Sequence, residues 1–423
     1  MAIFKPGRLR RVLTPIVGNA WLFALYTPAY GAYEDEIMSI TINRGVDGRN
    51  VGSNPTTAEV SLKGRRDGFE TGKTMRVFLR EEPMAALGAY IGAGVNASNI
   101  AQRFEGRLGT VGIDDDGKRA TTDIAGSSWI TQMNYSPASF TPIKGQTLAT
   151  ILANMIKANE PLRGIVFKTN IGPVNILNWA EPGPMLFRDG VGKFAADIGM
   201  LLQERRNGQT WAVSHVQRNA ASATQAVSPY MCPLMRAQGI APARYEQPNE
   251  RPAKRVAFKI INESGGPTVR TAEIANPGGE LVETESVDWA QFQVTAVDNQ
   301  LYREAYARVH DSSSRLYRIP KITVDILHLL KDGGEYSRYI VRQMLLLEAG
   351  EPVFLSGDWP ERLQGAHFAE GITEEINSEE WKITLSLVPH LVATGYPSPA
   401  FKPRAWDSAN YPWQDETREW NQA

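Results

Sequence analysis

Hydrophobic and polar positions alternate with period two over long stretches of the chain. The clearest run lies near the C-terminal end, where Trp381, Ile383, Leu385 and Leu387 recur with Lys382, Thr384 and Ser386 between them. That is the period of a strand with one buried face. The segment 367–376 precedes it, and the intervening 377–380 contains Asn377 and Ser378, which accept tight local backbone geometry. Residues 367–389 therefore predict a β-hairpin. Residues 104–125 have the same outline: 104–113, an Asp- and Gly-containing turn at 114–118, and a return strand to Ala125. Each hairpin opens with a Phe and a nearby Gly, which predicts two barrel-like β modules in one chain.

The same pattern divides the chain. Within 34–138, Met38, Ile40 and Ile42 alternate with polar residues, as do Ala58, Val60 and Leu62, and then Met75, Val77 and Leu79. Gly-marked turns at 44–50 and 63–68 separate them, the spacing of a small antiparallel barrel. The Ala- and Gly-rich segment 83–98 reads as a loop or short helix. Over 139–218 the period changes. Leu148, Ile151, Leu152, Met155 and Ile156 form the stripe of an amphipathic helix, and Val191, Phe194, Ala195, Ile198 and Leu202 give a similar one. Asn207 and Gly208 then mark a turn into a strand over 210–216, so this region predicts an α+β insert. Residues 219–252 carry Pro229, Pro233, Pro242, Pro248 and Pro252, the composition of a linker. The region 253–390 predicts the second β-barrel domain. Val256, Phe258 and Ile260 alternate there, as do Phe292, Val294 and Ala296, and then 321–326; Tyr339, Met344, Leu345 and Leu347 lie on a helix closed by Gly350. The expected fold class is mainly β with an α+β insert: two small antiparallel β-barrel modules per chain plus a helix-containing domain.

The two ends differ from the body. In 1–33, Lys5, Arg8, Arg10 and Arg11 precede an apolar stretch, 12–26, that imitates a secretory signal. Pro15, Asn19 and Trp21 interrupt that stretch, which favours an N-terminal arm docked on the body or on a neighbouring subunit. The tail 391–423 contains Pro397, Pro399, Pro403 and Pro412, with Trp406, Trp413 and Trp420 spaced seven apart. Aromatics in such a tail serve as interaction anchors on another surface, or pack on their own chain.

Composition narrows the function. A chain of 423 residues holds two to four domains. Lys+Arg 45 against Asp+Glu 46 leaves a net charge of -1, so no strong field draws in nucleic acid or an anionic membrane. The single cysteine, Cys232, excludes an internal disulfide framework and a multi-thiolate metal site. No run of 18 apolar residues occurs, so no membrane span is expected. His215, His310, His328, His367 and His390 lack zinc-site spacing. Asp114, Asp115 and Asp116 lack the ligand spacing of a cation loop. Glu374 and Glu375 with Glu379 and Glu380 suggest the paired carboxylates of glycoside cleavage, but they flank a turn where acids are normally solvated. No nucleophile elbow, phosphate-binding loop or dinucleotide fingerprint is present; Gly92 and Gly94 lack the third glycine and preceding strand. No catalytic, cofactor-binding or metal residue is expected.

The order of the segments SITINRG (39–45), PTTAEVSL (55–62), GKTMRVF (72–78) and FEGRL (104–108) resembles the first barrel of minor tail proteins from long-tailed actinobacterial phages. Those proteins are similar to the baseplate hub of contractile-tailed phages. YRIPKITVDI (317–326), EGITEEI (370–376) and WKITLSL (381–387) resemble the closing half of such hubs. The resemblance implies a structural tail-tip hub in the virion, made in the host cytoplasm during assembly. It implies a homotrimer whose six barrels form a ring between the sixfold tail tube and the threefold tip, around a channel for the tape measure protein and DNA. Implied partners are the distal tail protein, the tape measure protein and other tail-tip proteins, with no cofactor and no specific nucleic-acid binding. Two other readings compete: a receptor- or carbohydrate-binding tail protein using Trp406, Trp413 and Trp420, and a cell-wall glycosidase using the carboxylate-rich hairpin.

Overall fold

The computed structural model describes residues 23–27, 31–33, 37–45, 55–66, 68–79, 102–117, 119–128, 131, 167–169, 176–179, 200–214, 233–234, 240–242, 253–261, 267–273, 281–292, 321–332, 334–355, 365–377 and 380–389. The N-terminal half contributes strands β1 (Phe23–Thr27), β2 (Gly31–Tyr33), β3 (Ile37–Gly45), β4 (Thr57–Lys63), β5 (Thr74–Leu79), β6 (Gln102–Asp115) and β7 (Ala120–Ser127). The middle of the chain holds β8 (Phe167–Thr169), β9 (Ile176–Trp179), β10 (Met200–Glu204), β11 (Thr210–Ser214), β12 (Pro233–Leu234) and β13 (Ile240–Pro242). Then come β14 (Ala253–Ile261), β15 (Pro267–Glu273), β16 (Leu281–Phe292), β17 (Lys321–Asp325), helices α1 (Ile326–Asp332) and α2 (Glu335–Leu346), and β18 (Pro352–Leu355), β19 (Gly365–Asn377) and β20 (Trp381–Pro389). The fold is mainly β with a small helical part, as the alternation predicts.

The two halves share one 13-stranded sheet in the order β13-β17-β20-β19-β3-β4-β7-β6-β5-β1-β2, with β18 and β12 alongside β19. Its central link is the antiparallel pairing of β3 with β19, from Gly45 opposite Gly371 to Ser39 opposite Asn377. β1 pairs with β5 and also approaches β3, which curls the N-terminal part of the sheet. Two smaller sheets are separate: β10-β11-β8, and the mixed sheet β15-β14-β16-β9, in which β14 and β16 run parallel. The strands expected together in 253–390 thus fall in two sheets, and one of these takes in β9 from 139–218. Short strands β12 and β13 lie inside the Pro-rich 219–252.

The inward faces follow the predicted alternation. Ile40, Ile42, Ala58, Val60, Leu62, Met75, Val77 and Leu79 are buried, as are Trp381, Ile383, Leu385 and Leu387, all in one core with residues of both helices. Each such side chain stabilises the fold by about 1.5–3 kcal/mol relative to exposure. The Phe–Gly pairing of the first hairpin also has a physical reason. Phe104 is fully buried, and a Cβ on Gly106 would lie 2.7 Å from its ring, while one on Gly126 would lie 2.4 Å from Met75 Sδ. The missing side chains leave the space that the ring fills.

Departures from the sequence reading have local causes. Met38 is 45% exposed and Ile37 takes the inward place, because the register of β3 against β4 shifts between Ile37 and Ser39. Such a bulge adds one residue and reverses the faces beyond it. Ile326 begins α1 rather than ending β17: Asp325 Oδ1 accepts the His328 N–H at 3.0 Å, a helix N-cap. α2 ends at Leu346, ahead of Gly350, which has φ +84 in the turn beyond. Leu202, expected on a helix, lies in β10. The expected helix over 148–156, most of the stripe from Val191 to Ile198, Val294 and Ala296, and the tail 391–423 with its three tryptophans lie outside the described residues.

Candidate functional site at the joint between the halves

Where β3 meets β19, the chain buries charge instead of hydrocarbon. Arg44 shares the inward face of β3 with Ile40 and Ile42, and Glu374 shares that of β19 with Ile372 and Ile376. Ile42 stands opposite Glu374 and Arg44 opposite Ile372, so Arg44 and Glu374 are diagonal neighbours across the pair. Arg103 reaches the same place through a bulge. The register of β5 against β6 steps from Val77–Phe104 to Phe78–Gln102, which leaves Arg103 as the extra residue and turns both Arg103 and Phe104 inward.

The side chains of Arg44, Arg103 and Glu374 are wholly buried. Arg44 Nη2 donates to Glu374 Oε1 at 2.5 Å, and Arg103 Nε to Oε2 at 3.1 Å. Arg103 Nη2 also donates to Glu374 Oε1, completing a two-point fork. Two further donors find backbone: Arg44 Nη1 bonds the Arg103 carbonyl at 3.1 Å, and Arg103 Nη1 the Leu345 carbonyl at 2.8 Å at the end of α2, while the buried Arg44 Nε has no partner among the described residues.

A second set of charges adjoins the first. The β10–β11 hairpin turns tightly, with the Gly208 N–H bonded to the Arg205 carbonyl at 2.9 Å and Gly208 at φ +74, where glycine is favoured. From this turn Arg206 Nε donates to Glu348 Oε1 at 2.6 Å, Nη2 to the Leu347 carbonyl at 2.8 Å, and Nη1 to the Leu345 carbonyl. Arg205 Nη1 lies 3.2 Å from Glu351 Oε1, and the Glu348 N–H donates to Glu351 Oε2 at 2.9 Å. On the other side, Glu204 Oε2 accepts the Thr56 N–H at 2.7 Å and the Ser128 hydroxyl.

These neighbours set the protonation states. Burial alone would raise the Glu374 carboxyl, but Arg103 and Arg44 outweigh it and hold the group down at about 2. Burial lowers Arg103 to about 10, with Glu374 offsetting only part of the effect, so it stays a cation at neutral pH. Glu348 is likewise pulled below the usual carboxylate range, its burial outweighed by Arg206, Arg44 and Arg205 together. Glu351 goes the other way: burial, reinforced by Glu348, raises it to about 7 against the pull of Arg205.

This arrangement holds two parts of the chain together. Glu374, weighed above as one of a pair of glycosidase carboxylates, is locked between two arginines with no exposed surface. Glu375 is exposed, and Glu380 pairs with Lys382 at 2.7 Å, which lowers its carboxyl; Glu379 lies outside the described residues. Asp115 Oδ1 and Asp116 Oδ1 accept the N–H groups of Gly117 and Arg119, at 2.9 and 2.5 Å, as hairpin-turn residues. His367 is buried and His328 exposed; His215, His310, His390, Trp406, Trp413 and Trp420 lie outside the described residues. Among the described residues no group of three His, Cys, Asp or Glu could hold a metal ion, and no helix is long and apolar enough to cross a membrane.

No protein-family model and no curated protein sequence matches the chain. Its architecture does match. The 43 kDa tail protein of prophage MuSo2 from Shewanella oneidensis superposes with a TM-score of 0.58 at 12% identity, over 86% of this chain and 98% of that one. The chain has the fold of phage tail proteins. A tail protein from Neisseria meningitidis MC58 shares this tail-protein fold with a TM-score of 0.57 at 12% identity, covering 87% of this chain and 96% of its own. A prophage tail protein from Listeria monocytogenes EGD-e does so at 0.51 and 11% identity, over 86% and 94%. The tail-protein fold agrees with the resemblance carried by the segment order.

Proposed function

We propose that the protein is a structural component of a phage virion, the hub of the tail tip, and that it has no catalytic role. The observation that carries this reading is the superposition on tail proteins, one of them from a prophage, over nearly their whole length and 86–87% of this chain. The hub assembles as a homotrimer whose repeated β modules surround a channel for the tape measure protein and DNA, with the distal tail protein and other tip proteins as neighbours. A net charge of -1 supports a passage role, since a strongly basic wall would retain DNA by counterion release. Strand pairing between the halves supports it too, because edge pairing of the β3–β19 kind can join one chain to the next. Against the alternative glycosidase reading, Glu374 is buried between Arg44 and Arg103, and Glu380 pairs with Lys382. Gold labelling of an epitope-tagged copy on intact virions tests the location: label at the distal tip of the tail is expected, and label along the tube or on the capsid would overturn it.

A further inference from the structure

Three consecutive charged residues of the β10–β11 turn grip both halves of the molecule. Glu204 takes hydrogen bonds from Thr56 and Ser128, beside the ends of β4 and β7. Arg205 and Arg206 engage Glu351 and Glu348, in the segment between α2 and β18. All of these contacts are hydrogen bonds or ion pairs. The Leu345 carbonyl accepts from both Arg206 and Arg103, so the turn and the β3–β19 joint share an acceptor. A continuous polar chain runs from Glu374 through Arg103, Leu345 and Arg206 to Glu348 and Glu351.

We propose that the β10–β11 turn is a releasable clasp, which couples the seating of that hairpin to the joint between the halves and loosens when Glu351 ionises. Coupling through such a chain is physical where its members have two arrangements, seated and unseated. Glu351 is faced by Arg205 and Arg206 from the turn and by Glu348 from its own segment, while β19 offers it the Ala369 N–H on its backbone carbonyl at 3.0 Å. Glu374 and Glu348 are held ionised by their arginines, so of these three carboxyls Glu351 is the one that changes charge near neutrality. The seated carboxyl holds its proton more tightly than a hydrated one. Rising pH therefore favours the unseated state, in which water reaches it, by up to ~300-fold between pH values well below 4.5 and well above 7 if hydration is complete, the last ~10-fold of it between pH 6 and 8.

Hydrogen exchange with mass spectrometry tests both parts on the isolated 423-residue chain, with labelling times scaled for the intrinsic pH dependence of exchange. In the wild type, amides of 204–214 are expected to exchange several-fold faster at pH 8 than at pH 6, and Glu351→Gln is expected to abolish the difference. Arg206→Met is expected to speed exchange at both pH values, in 204–214 and also in 39–45 and 371–377. Should that variant fail to fold, Arg206→Lys keeps the charge but loses the fork and serves the same comparison. An unchanged pH response in Glu351→Gln would overturn the titrating role. Faster exchange confined to the turn in the Arg206 variant would overturn the coupling. Neither result depends on ring assembly, so failure here is distinct from failure of the hub reading.

Discussion

Glu374 sits between two buried guanidinium groups, and removing its charge leaves both uncompensated. Glu374→Gln should cost ~3–5 kcal/mol, measured as a lower urea midpoint at unchanged slope. The pH dependence has a definite sign. A carboxyl held at about 2 in the fold, against 4.5 ordinarily, contributes stability that is present above 4.5 and is lost as pH falls towards 2. Acid titration of the wild type should show that loss, and Glu374→Gln should lack this component. Glu351 behaves oppositely: raised to about 7, it contributes stability present below 4.5 and lost as pH rises through 7, so Glu351→Gln should flatten the decline between pH 5 and 8. Part of this cluster was legible. Arg44 and Glu374 fall on the inward face by simple alternation, although nearness to the turn at Asn377 argued for a solvated acid. Their pairing spans 330 positions, which no local pattern encodes. Arg103 was not legible, because only the bulge against β5 turns it inward.

At the scale of elements, the close approach of β3 to β19 depends on Gly45. It adopts φ +75, and a Cβ there would lie 2.0 Å from the Glu370 carbonyl oxygen and 2.8 Å from Ala349 Cβ. Gly45→Ala therefore combines backbone strain with a collision against main chain, and should destabilise the joint far more than Gly64→Ala, where φ is +86 but a Cβ meets nothing within 4 Å. Thermal unfolding of the two variants side by side checks this. Phe104→Ala should cost ~3–5 kcal/mol, since Gly106 and Gly126 carry no side chain to refill the space. The hairpins and their inward faces could be read because one face of each strand is buried, and burial writes its period into the sequence. Leu202 misled because an apolar stripe of helical spacing also fits residues that enter a strand.

For the whole molecule, the unexpected feature is continuity. The sequence divides into two similar β regions, yet β3 and β19 join the first of them and β17–β20 of the second in one sheet sealed by buried charge. Long-range strand pairing of this kind is specified by both partners at once, so neither half announces it alone. In the proposed hub, a chain that joins its own halves edge to edge is the building unit of a closed ring, and the same type of pairing continues between copies. The hub account is tested most directly by negative-stain electron microscopy with class averaging of the purified protein at high concentration, alone and with adjoining tail proteins. It predicts threefold rings with six lobes and a central hole. Compact monomers in both preparations, with no ring, would contradict it.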